Sequence, residues 1–420
     1  MKVLWITGAL LPEATAKIRG EREQQWNTTG SWILGAAAAL VKMEYVRLYM
    51  AATSQDVKKL TRVEAGGVVS FAIPYGKGPF KENRAYGRHI KAIHDEVAPD
   101  IVHIHGTEYT HGLAYIRVCG TQHVVISIQG MTSVIYRYFQ AGMSNREVLK
   151  NTSLRDLIRG GIFYEKHSFR KRGKLEKEMI RSVGHVIGRT SWDYAHTKAI
   201  NSNVVYHHVD ETLRDEFYFG NRWTYSRCTP HTIVAICGYP SPFKGLHQLL
   251  KALPLVLRKY PDAQLRVCGD DPTLGYQASQ WWRITGYGRY VKSLIRKMGL
   301  KGNLTFLGQK DACGIKEELL HCNVFVCPSA IENSSNSLGE AQILGVPCVA
   351  AYVGGVIDMM TGNEANLYRF EEVEMLADKV CQVFAKKNHQ VDMSETAAKR
   401  HDKNKNVEEL MTTYLDILAD

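Results

Sequence analysis

The sequence predicts an α/β chain of two successive domains, each built on a parallel sheet, and three observations carry that prediction. Short β-branched runs alternate with apolar stripes at helical spacing. The runs are apolar throughout, as in strands covered on both faces. The rhythm stops at 208–230, in HVDETLRDEFYFGNRWTYSRCTP, and then starts again.

In the first half the expected strands are Lys2–Thr7, Tyr45–Tyr49, Val68–Ile73, Ile101–His105, His123–Ile128 and His185–Gly188. Helical stripes fall between them at Ser31–Lys42, Glu82–Val97, Glu108–Val118 and Tyr164–Ser182. In the second half the strands are Thr232–Cys237, Gln264–Cys268, Leu304–Leu307, Val324–Cys327 and Pro347–Ala350. Helices are expected at Leu246–Lys259, Tyr290–Lys297, Ile315–His321, Leu338–Leu344 and Glu371–Ala385. The expected boundaries are 1–207 for the first domain, 208–230 for a linker and 231–394 for the second domain. Residues 395–420 form a terminal amphipathic helix that packs back toward the first domain.

Composition sets the outer bounds. With 420 residues, 45% apolar and 23% charged, the chain can bury two or three domain cores, which excludes intrinsic disorder, collagen and disulfide-knot scaffolds. The nine cysteines are odd in number and lack a C-x-x-C pair, so reduced, buried thiols in a cytoplasmic protein are expected. MKVLWITGALLPEA reads as a first strand in preference to a signal peptide, and no apolar stretch reaches the roughly 20 residues of a membrane span. The formal charge of +11 favours an anionic partner without naming it.

Chemistry concentrates in Cys327–Met360, CPSAIENSSNSLGEAQILGVPCVAAYVGGVIDMM. A buried strand ends at Cys327, and a polar loop then feeds a short helix. Open parallel sheets bind ligands beyond the carboxyl ends of their strands, and a helix N-terminus favours phosphate. Glu332 and Glu340 are spaced E-x7-E, but so are Glu13/Glu21 and Glu364/Glu372, so spacing alone is not specific. Ser337-x-x-Glu340 also reads as a capping box and Glu332 as a solvated loop carboxylate. Lys244-Gly245 follows a strand and leads a helix, where an ammonium can meet a diphosphate; on its own it equally reads as a solvated helix-start lysine. No Walker A loop, Asp-x-Asp pair or zinc spacing occurs, and no G-x-G-x-x-G opens the first βα turn, which disfavours a dinucleotide dehydrogenase.

The order Gly238…Lys244-Gly245, Phe306-Leu-Gly308, Glu332…Glu340, Gly345-Val-Pro347-Cys-Val349-Ala and Gly354-Gly355 resembles the donor-binding domain of the retaining glycosyltransferases of family 4. Lys2–Gly8, Gly30-Ser31 and Pro99-Asp-Ile-Val-His-Ile-His105-Gly106 are compatible with the first domain of that family. The resemblance implies a GT-B fold, two Rossmann-like α/β domains facing across a cleft. It implies transfer of a hexose from a nucleoside-diphosphate sugar, with a UDP-sugar favoured, to a glycan or lipid-linked acceptor in surface polysaccharide synthesis.

The same resemblance distributes roles. Glu340 would bind the nucleotide ribose and Glu332 would face the transferred sugar. Backbone groups of Ser335, Asn336, Ser337 and Leu338 would hold sugar hydroxyls and the diphosphate, with Gly30 and Ser31 also on the donor side. Lys244 matches the family lysine, but Tyr239 stands where the family has arginine. Arg189 is the candidate substitute, with a surface ion pair as its bland reading. Gln129 stands on the acceptor side where many members have histidine, and Gln cannot shuttle protons. His105 is the nearest titratable alternative, or else a satisfied structural histidine. The leaving diphosphate would depart from the face that the acceptor enters, with no protein nucleophile, metal or other cofactor expected.

Basic residues interleave with aromatic ones across Arg155–Arg181, and again in Trp281–Lys301. Such surfaces suit an anionic membrane, giving a peripheral, cytoplasmic-face protein, though solvated helix faces read equally well. Nucleic acid is not expected, since no recognition motif accompanies the charge. Two other classes stay open: a non-catalytic nucleotide- or glycan-binding protein, and a sugar-nucleotide epimerase of the same architecture.

Overall fold

The computed structural model describes residues 1–21, 31–76, 78, 80–81, 83–238, 240–274, 284–386 and 391–420, with side chains from residue 33 in the second of these stretches. The chain forms two compact units. Unit 1 comprises Met1–Val134, Arg170–Thr212 and His401–Asp420; unit 2 comprises Ile135–Phe169 and Leu213–Arg400. The units therefore divide the chain differently from the sequence boundaries, since 135–169 sits with unit 2.

Unit 1 is an eight-stranded sheet of β1 Lys2–Thr7, β2 Arg47–Ser54, β3 Thr61–Ala65, β4 Val68–Pro74, β5 Ile101–His105, β6 Val124–Ser127, β7 His185–Gly188 and β8 Val205–His208. Its order is β3-β4-β2-β1-β5-β6-β7-β8, parallel throughout except for β3 against β4. Unit 2 is an all-parallel sheet of β9 Thr232–Ile236, β10 Gln264–Cys268, β11 Leu304–Phe306, β12 Val324–Cys327, β13 Cys348–Ala351 and β14 Leu367–Tyr368. Its order is β11-β10-β9-β12-β13-β14. Successive side chains of each strand enter opposite layers. In β1, Leu4 and Ile6 join one core while Val3 and Trp5 join another. In β12, Val324 and Val326 face one layer while Phe325 and Cys327 face the other. That division explains why the strand runs are continuously apolar.

Three expectations change. The antiparallel β3 (TRVEA) and the polar β8 (VYHH) lack an apolar run and escape sequence detection. The stretch 208–230 is packed structure: Leu213 and Phe217 are buried in a unit 2 core, and Trp223 Nε1 donates to the Cys322 carbonyl at 2.7 Å. The terminal helix is two helices, Ser394–Arg400 and Lys403–Ala419, because Asp402 caps the second by accepting from Lys405 N at 2.9 Å. The second completes unit 1. Its Tyr414 hydroxyl accepts from Trp5 Nε1 at 2.9 Å and pairs with His103 Nδ1 at 2.6 Å, while His103 Nε2 pairs with Ser127 Oγ at 2.5 Å. All nine cysteines are free thiols, seven of them buried. Among the described residues, no helix is long and apolar enough to cross a membrane.

Burial holds several histidines neutral. Desolvation lowers His103 to about 3 and His111 to about 4, and His247 in unit 2 to about 4. The unfolded chain takes up these protons below pH 6.5, whereas the folded chain refuses them until much lower pH. Stability is therefore full above pH 6.5 and lost as pH falls. Urea titrations at pH 7.5 and pH 5 should show a loss of about 2 kcal/mol per such histidine at the lower pH. A stability that is level or rising toward pH 5 would contradict this burial.

Candidate functional site

In unit 2, strand order reverses between β9 and β12. The connection leaving β9 runs to one side and that leaving β12 to the other, so a crevice opens at their carboxyl ends. Both loops pass this point at backbone distance. Gly245 adopts φ +74°, and a Cβ there would lie 1.7 Å from the Pro328 carbonyl oxygen. Ala330 N donates to the Phe243 carbonyl at 2.7 Å. A third loop closes on them: a Cβ on Gly354 would lie 1.9 Å from the Glu332 carbonyl oxygen, which accepts from Gly355 N at 3.1 Å. The Lys-Gly and Gly-Gly steps of the sequence are thus sites of close backbone passage.

This packing brings Lys244 and Glu332 together. Lys244 Nζ lies 2.6 Å from Glu332 Oε1, which also accepts from Ser329 Oγ at 2.8 Å. Burial pulls the Lys244 pKa down, but the Glu332 charge and hydrogen bond outweigh it, and the pKa sits above the usual lysine value. The ammonium keeps about a third of its surface in solvent, with side-chain exposure of 33%. It is therefore both charged and reachable. Four residues beyond Glu332 begins the helix Asn336–Ile343, capped by Ser335 Oγ, which accepts from Leu338 N at 3.4 Å and pairs with Ser337 Oγ at 3.1 Å. The first-turn N–H groups of a helix favour anions. Asn336 Oδ1 is buried and has no hydrogen-bond partner among the described residues.

The capping-box reading of Ser337 and Glu340 is corrected here, since the cap is Ser335. Glu340 points elsewhere, to a residue that sequence reasoning missed. Arg214 grips it in a two-pronged bond, Nε to Oε1 and Nη2 to Oε2, each at 2.7 Å, and also lies 5.0 Å from the centroid of the Phe217 ring. Burial raises the Glu340 pKa while Arg214 opposes that rise. Arg214 is itself held above the usual arginine value: its burial is outweighed by Glu340. No signal in the weakly periodic 208–230 stretch singles out this arginine.

Unit 1 has its own reversal between β1 and β5. The buried Glu176 carboxylate accepts from Thr107 Oγ1 at 2.7 Å, Thr132 N at 2.9 Å and Ser133 N at 2.9 Å, tying the loop after β5 and the start of the helix Thr132–Tyr138 after β6 to one helix. The glycine one turn earlier, Gly173, lets that helix pass Ser133: a Cβ there would lie 2.5 Å from Ser133 Cα. Within the lysine-rich KRGKLEKEM, Glu176 reads as a solvated side chain, and sequence reasoning passed over it. A small cavity of about 50 Å³ at these strand ends is lined by His103, His105, Ser127, Gln129, Arg189 and Glu211. His105 stacks on His103 with ring centroids 3.7 Å apart, and burial and the neighbouring His103 push its pKa well below the ordinary value. It is neutral at neutral pH and can exchange hydrogen bonds there.

Arg189 is committed inside unit 1. It pairs with Glu211 and donates through Nη2 to the Ile128 carbonyl at 2.7 Å and to Gln129 Oε1 at 3.4 Å. With 4% side-chain exposure, this ion pair is interior, unlike the surface pair considered from sequence. The predicted residues therefore fall into two groups: His105, Gln129 and Arg189 in unit 1, and Lys244, Glu332, Ser335, Asn336, Ser337, Leu338 and Glu340 in unit 2. Gly30 and Tyr239 lie outside the described residues, and Ser31 opens the helix Ser31–Val41. Among the described residues, no group of three or more His, Cys, Asp or Glu is placed to hold a metal.

Comparison with known proteins bears on both halves unequally. Residues 229–400 match the family model of glycosyl transferases group 1. D-inositol 3-phosphate glycosyltransferase of Corynebacterium urealyticum is 24% identical over 168 residues, 39% of this chain and 38% of that protein. A GDP-mannose-dependent monoacylated alpha-(1-6)-phosphatidylinositol monomannoside mannosyltransferase of Corynebacterium glutamicum is 28% identical over 145 residues, 33% of this chain and 34% of that protein. The chain thus spans little more than a third of the length of these curated relatives. Among solved structures, sucrose-phosphate synthase of Thermosynechococcus elongatus superposes with a TM-score of 0.68 at 16% identity, over 100% of this chain and 99% of that one. Anabaena HepE in complex with UDP-glucose superposes with a TM-score of 0.64 at 15% identity, over 99% and 100%. These likenesses establish the fold, GT-B with two Rossmann-like domains.

Removing Arg214 would strand Glu340 in the interior. Arg214→Met should cost about 2–3 kcal/mol at pH 7.5, less than a fully buried pair because the guanidinium is partly solvated. The stranded carboxyl, with a folded pKa raised further above 4.5, favours folding when protonated. The variant's deficit relative to wild type should therefore shrink as pH falls toward 5. Urea titration of both proteins at the two pH values measures this, and a pH-independent deficit would contradict it.

Proposed function

We propose that the chain is a retaining glycosyltransferase that moves a hexose from a UDP-sugar to a glycan or lipid-linked acceptor in surface polysaccharide synthesis. The observation that carries this reading is the Lys244–Glu332 pair, with the Asn336–Ile343 helix starting four residues beyond Glu332. It lies at the strand-order reversal of unit 2, inside the segment matched by the glycosyltransferase family model. A diphosphate placed there meets a charged, solvent-reachable ammonium and free helix N–H groups, which stabilise the charge that grows on it as it leaves. The UDP preference is supported by the UDP-glucose complex of HepE.

In this reading Glu340 receives the ribose hydroxyls on the lone pairs that Arg214 leaves open. Glu332 faces the hexose, and diphosphate binding draws Lys244 away from it. The bond from the anomeric carbon to the phosphate oxygen breaks with its electron pair on the diphosphate. The acceptor hydroxyl bonds to the same face, and its proton passes to the leaving phosphate oxygen. That route asks for no protein nucleophile or base, which suits an amide at Gln129 and a neutral His105. With Arg189 engaged by Glu211, Lys244 and the helix N–H groups carry the phosphate charge without a divalent ion. Such an enzyme would act at the cytoplasmic face of a membrane.

Thermal shift with UDP, GDP, ADP, CDP and dTDP, each with and without EDTA, tests the donor site. UDP at 100 times its dissociation constant should stabilise the protein by about 2.7 kcal/mol with EDTA present, and neither Lys244→Ala nor Glu340→Ala should respond. Wild type incubated with UDP-glucose should release UDP slowly, by hydrolysis in the absence of acceptor. Response to no nucleotide would remove the reading; tight UDP binding without turnover of any donor would favour a non-catalytic nucleotide-binding protein.

A further inference from the structure

Two short helices of unit 2, Asn145–Asn151 and Leu154–Arg159, are fastened on one side and bare on the other. On the fastened side Asp156 Oδ2 accepts from Gly286 N at 2.7 Å, Tyr290 OH donates to Glu147 Oε1 at 2.9 Å, and Arg289 Nη1 donates to the Thr152 carbonyl at 2.8 Å. Ser144 and Ser153 cap the two helices through reciprocal bonds with Glu147 and Asp156. The helices are therefore tied along one side to the helix Gly286–Lys297.

On the bare side stand Leu149, Leu154, Leu157 and Ile158, exposed at 65, 62, 74 and 82%. Leu154, Leu157 and Ile158 sit at i, i+3 and i+4, so they share one face of their helix, opposite the buried Asp156. Phe163 and Tyr164 are exposed just beyond, at 40 and 57%. Single exposed leucines are ordinary; four aliphatic side chains in ten residues are not. The charge around them has one sign. Arg146, Lys150 and Arg159 are exposed, whereas the two acids of the segment 145–164, Glu147 and Asp156, are both bonded on the fastened side. The basic helix downstream, Ile162–Ser182, offers less apolar surface than its sequence implies. Ile162 is buried, Phe169 packs against Phe139 and Phe243, and the Arg172 guanidinium lies 4.4 Å from the centroid of the Phe80 ring.

We propose that the Leu149–Tyr164 face docks on an anionic lipid bilayer, with its aliphatic side chains at the acyl boundary and Arg146, Lys150 and Arg159 on lipid phosphates. Exposed aliphatic chains interspersed along the segment with exposed cations match a negatively charged surface with an apolar interior. A second copy of the chain suits the face less well, since a two-fold pairing would set this positively charged patch against another of the same sign. The inference deepens the lipid-linked acceptor of the proposed function and rests on that reading for its purpose. Its observation, the exposed side chains, is separate from the donor site.

Co-flotation of the full chain with vesicles tests it, using phosphatidylcholine alone and phosphatidylcholine mixed with phosphatidylglycerol. Wild type should float with the mixed vesicles. Leu154→Ser/Leu157→Ser/Ile158→Ser should bind them about tenfold more weakly. Arg146→Gln/Lys150→Gln/Arg159→Gln should lose the preference for the anionic mixture. UDP-induced thermal shift, read in parallel, checks that both triple variants keep their donor site, so membrane binding and the donor reading fail separately. Wild type that floats with neither vesicle, or a serine variant that floats as well as wild type, would overturn the proposal. A wild-type dimer in light scattering that the serine variant abolishes would also overturn it and make the face a protein interface.

Discussion

In unit 2 the loops leaving β9 and β12 touch at backbone distance beside the crevice that their opposite connections open. The contact falls on Gly245 and the Pro328 carbonyl, and much of the site's arrangement depends on it. Because the backbones touch, the side chains that follow are fixed relative to each other, and Lys244 and Glu332 meet across 88 residues of sequence. The strand stops at Cys327, and the next helix begins at Asn336, four residues beyond Glu332. Charge, dipole and carboxylate are thus brought together by sheet topology, with little need for local sequence preference.

Much of the architecture was legible in the residues. Continuous apolar runs identified the central strands because both faces of each sheet are covered, and the helix Leu246–Lys259 has the bounds its apolar spacing predicts. What escaped has physical reasons. The edge strand TRVEA is polar and antiparallel, so it carries no buried-run signal. The 208–230 stretch looks like a linker because its buried residues, Leu213, Phe217 and the half-buried Trp223, follow no period. Glu176 hides in a basic helix, and its partners, the loop residue Thr107 and the helix-start residues Thr132 and Ser133, are more than 40 positions away.

The candidate site divides along the same line. Residues defined by local chain geometry, such as Lys244-Gly245 and the Ser335–Leu338 turn, could be placed from sequence order. Residues defined by a distant partner could not. Glu340 reads from sequence as a ribose-binding carboxylate or as part of a capping box with Ser337, and it is held by Arg214 from 126 residues away. Arg189 was weighed as a phosphate cation or a surface ion pair, and it is an interior strut joining Glu211 to the strand ends of unit 1. A one-dimensional pattern carries no record of which counter-charge a buried side chain will find.

The helix Lys403–Ala419 adds a temporal consequence. Unit 1 holds the earliest-made strands, yet its Trp5–Tyr414–His103 hydrogen-bond chain closes only with residues made after all of unit 2. During synthesis, unit 2 can finish folding while the first-made sheet still exposes the apolar face that Val3, Trp5, Leu48 and Met50 share with Tyr414 and Ile417. The usual order, in which the strands made earlier mature first, is reversed. The first-made sheet therefore keeps this hydrophobic surface open until Lys403–Ala419 emerges, which makes that surface the place where chaperone engagement would matter most.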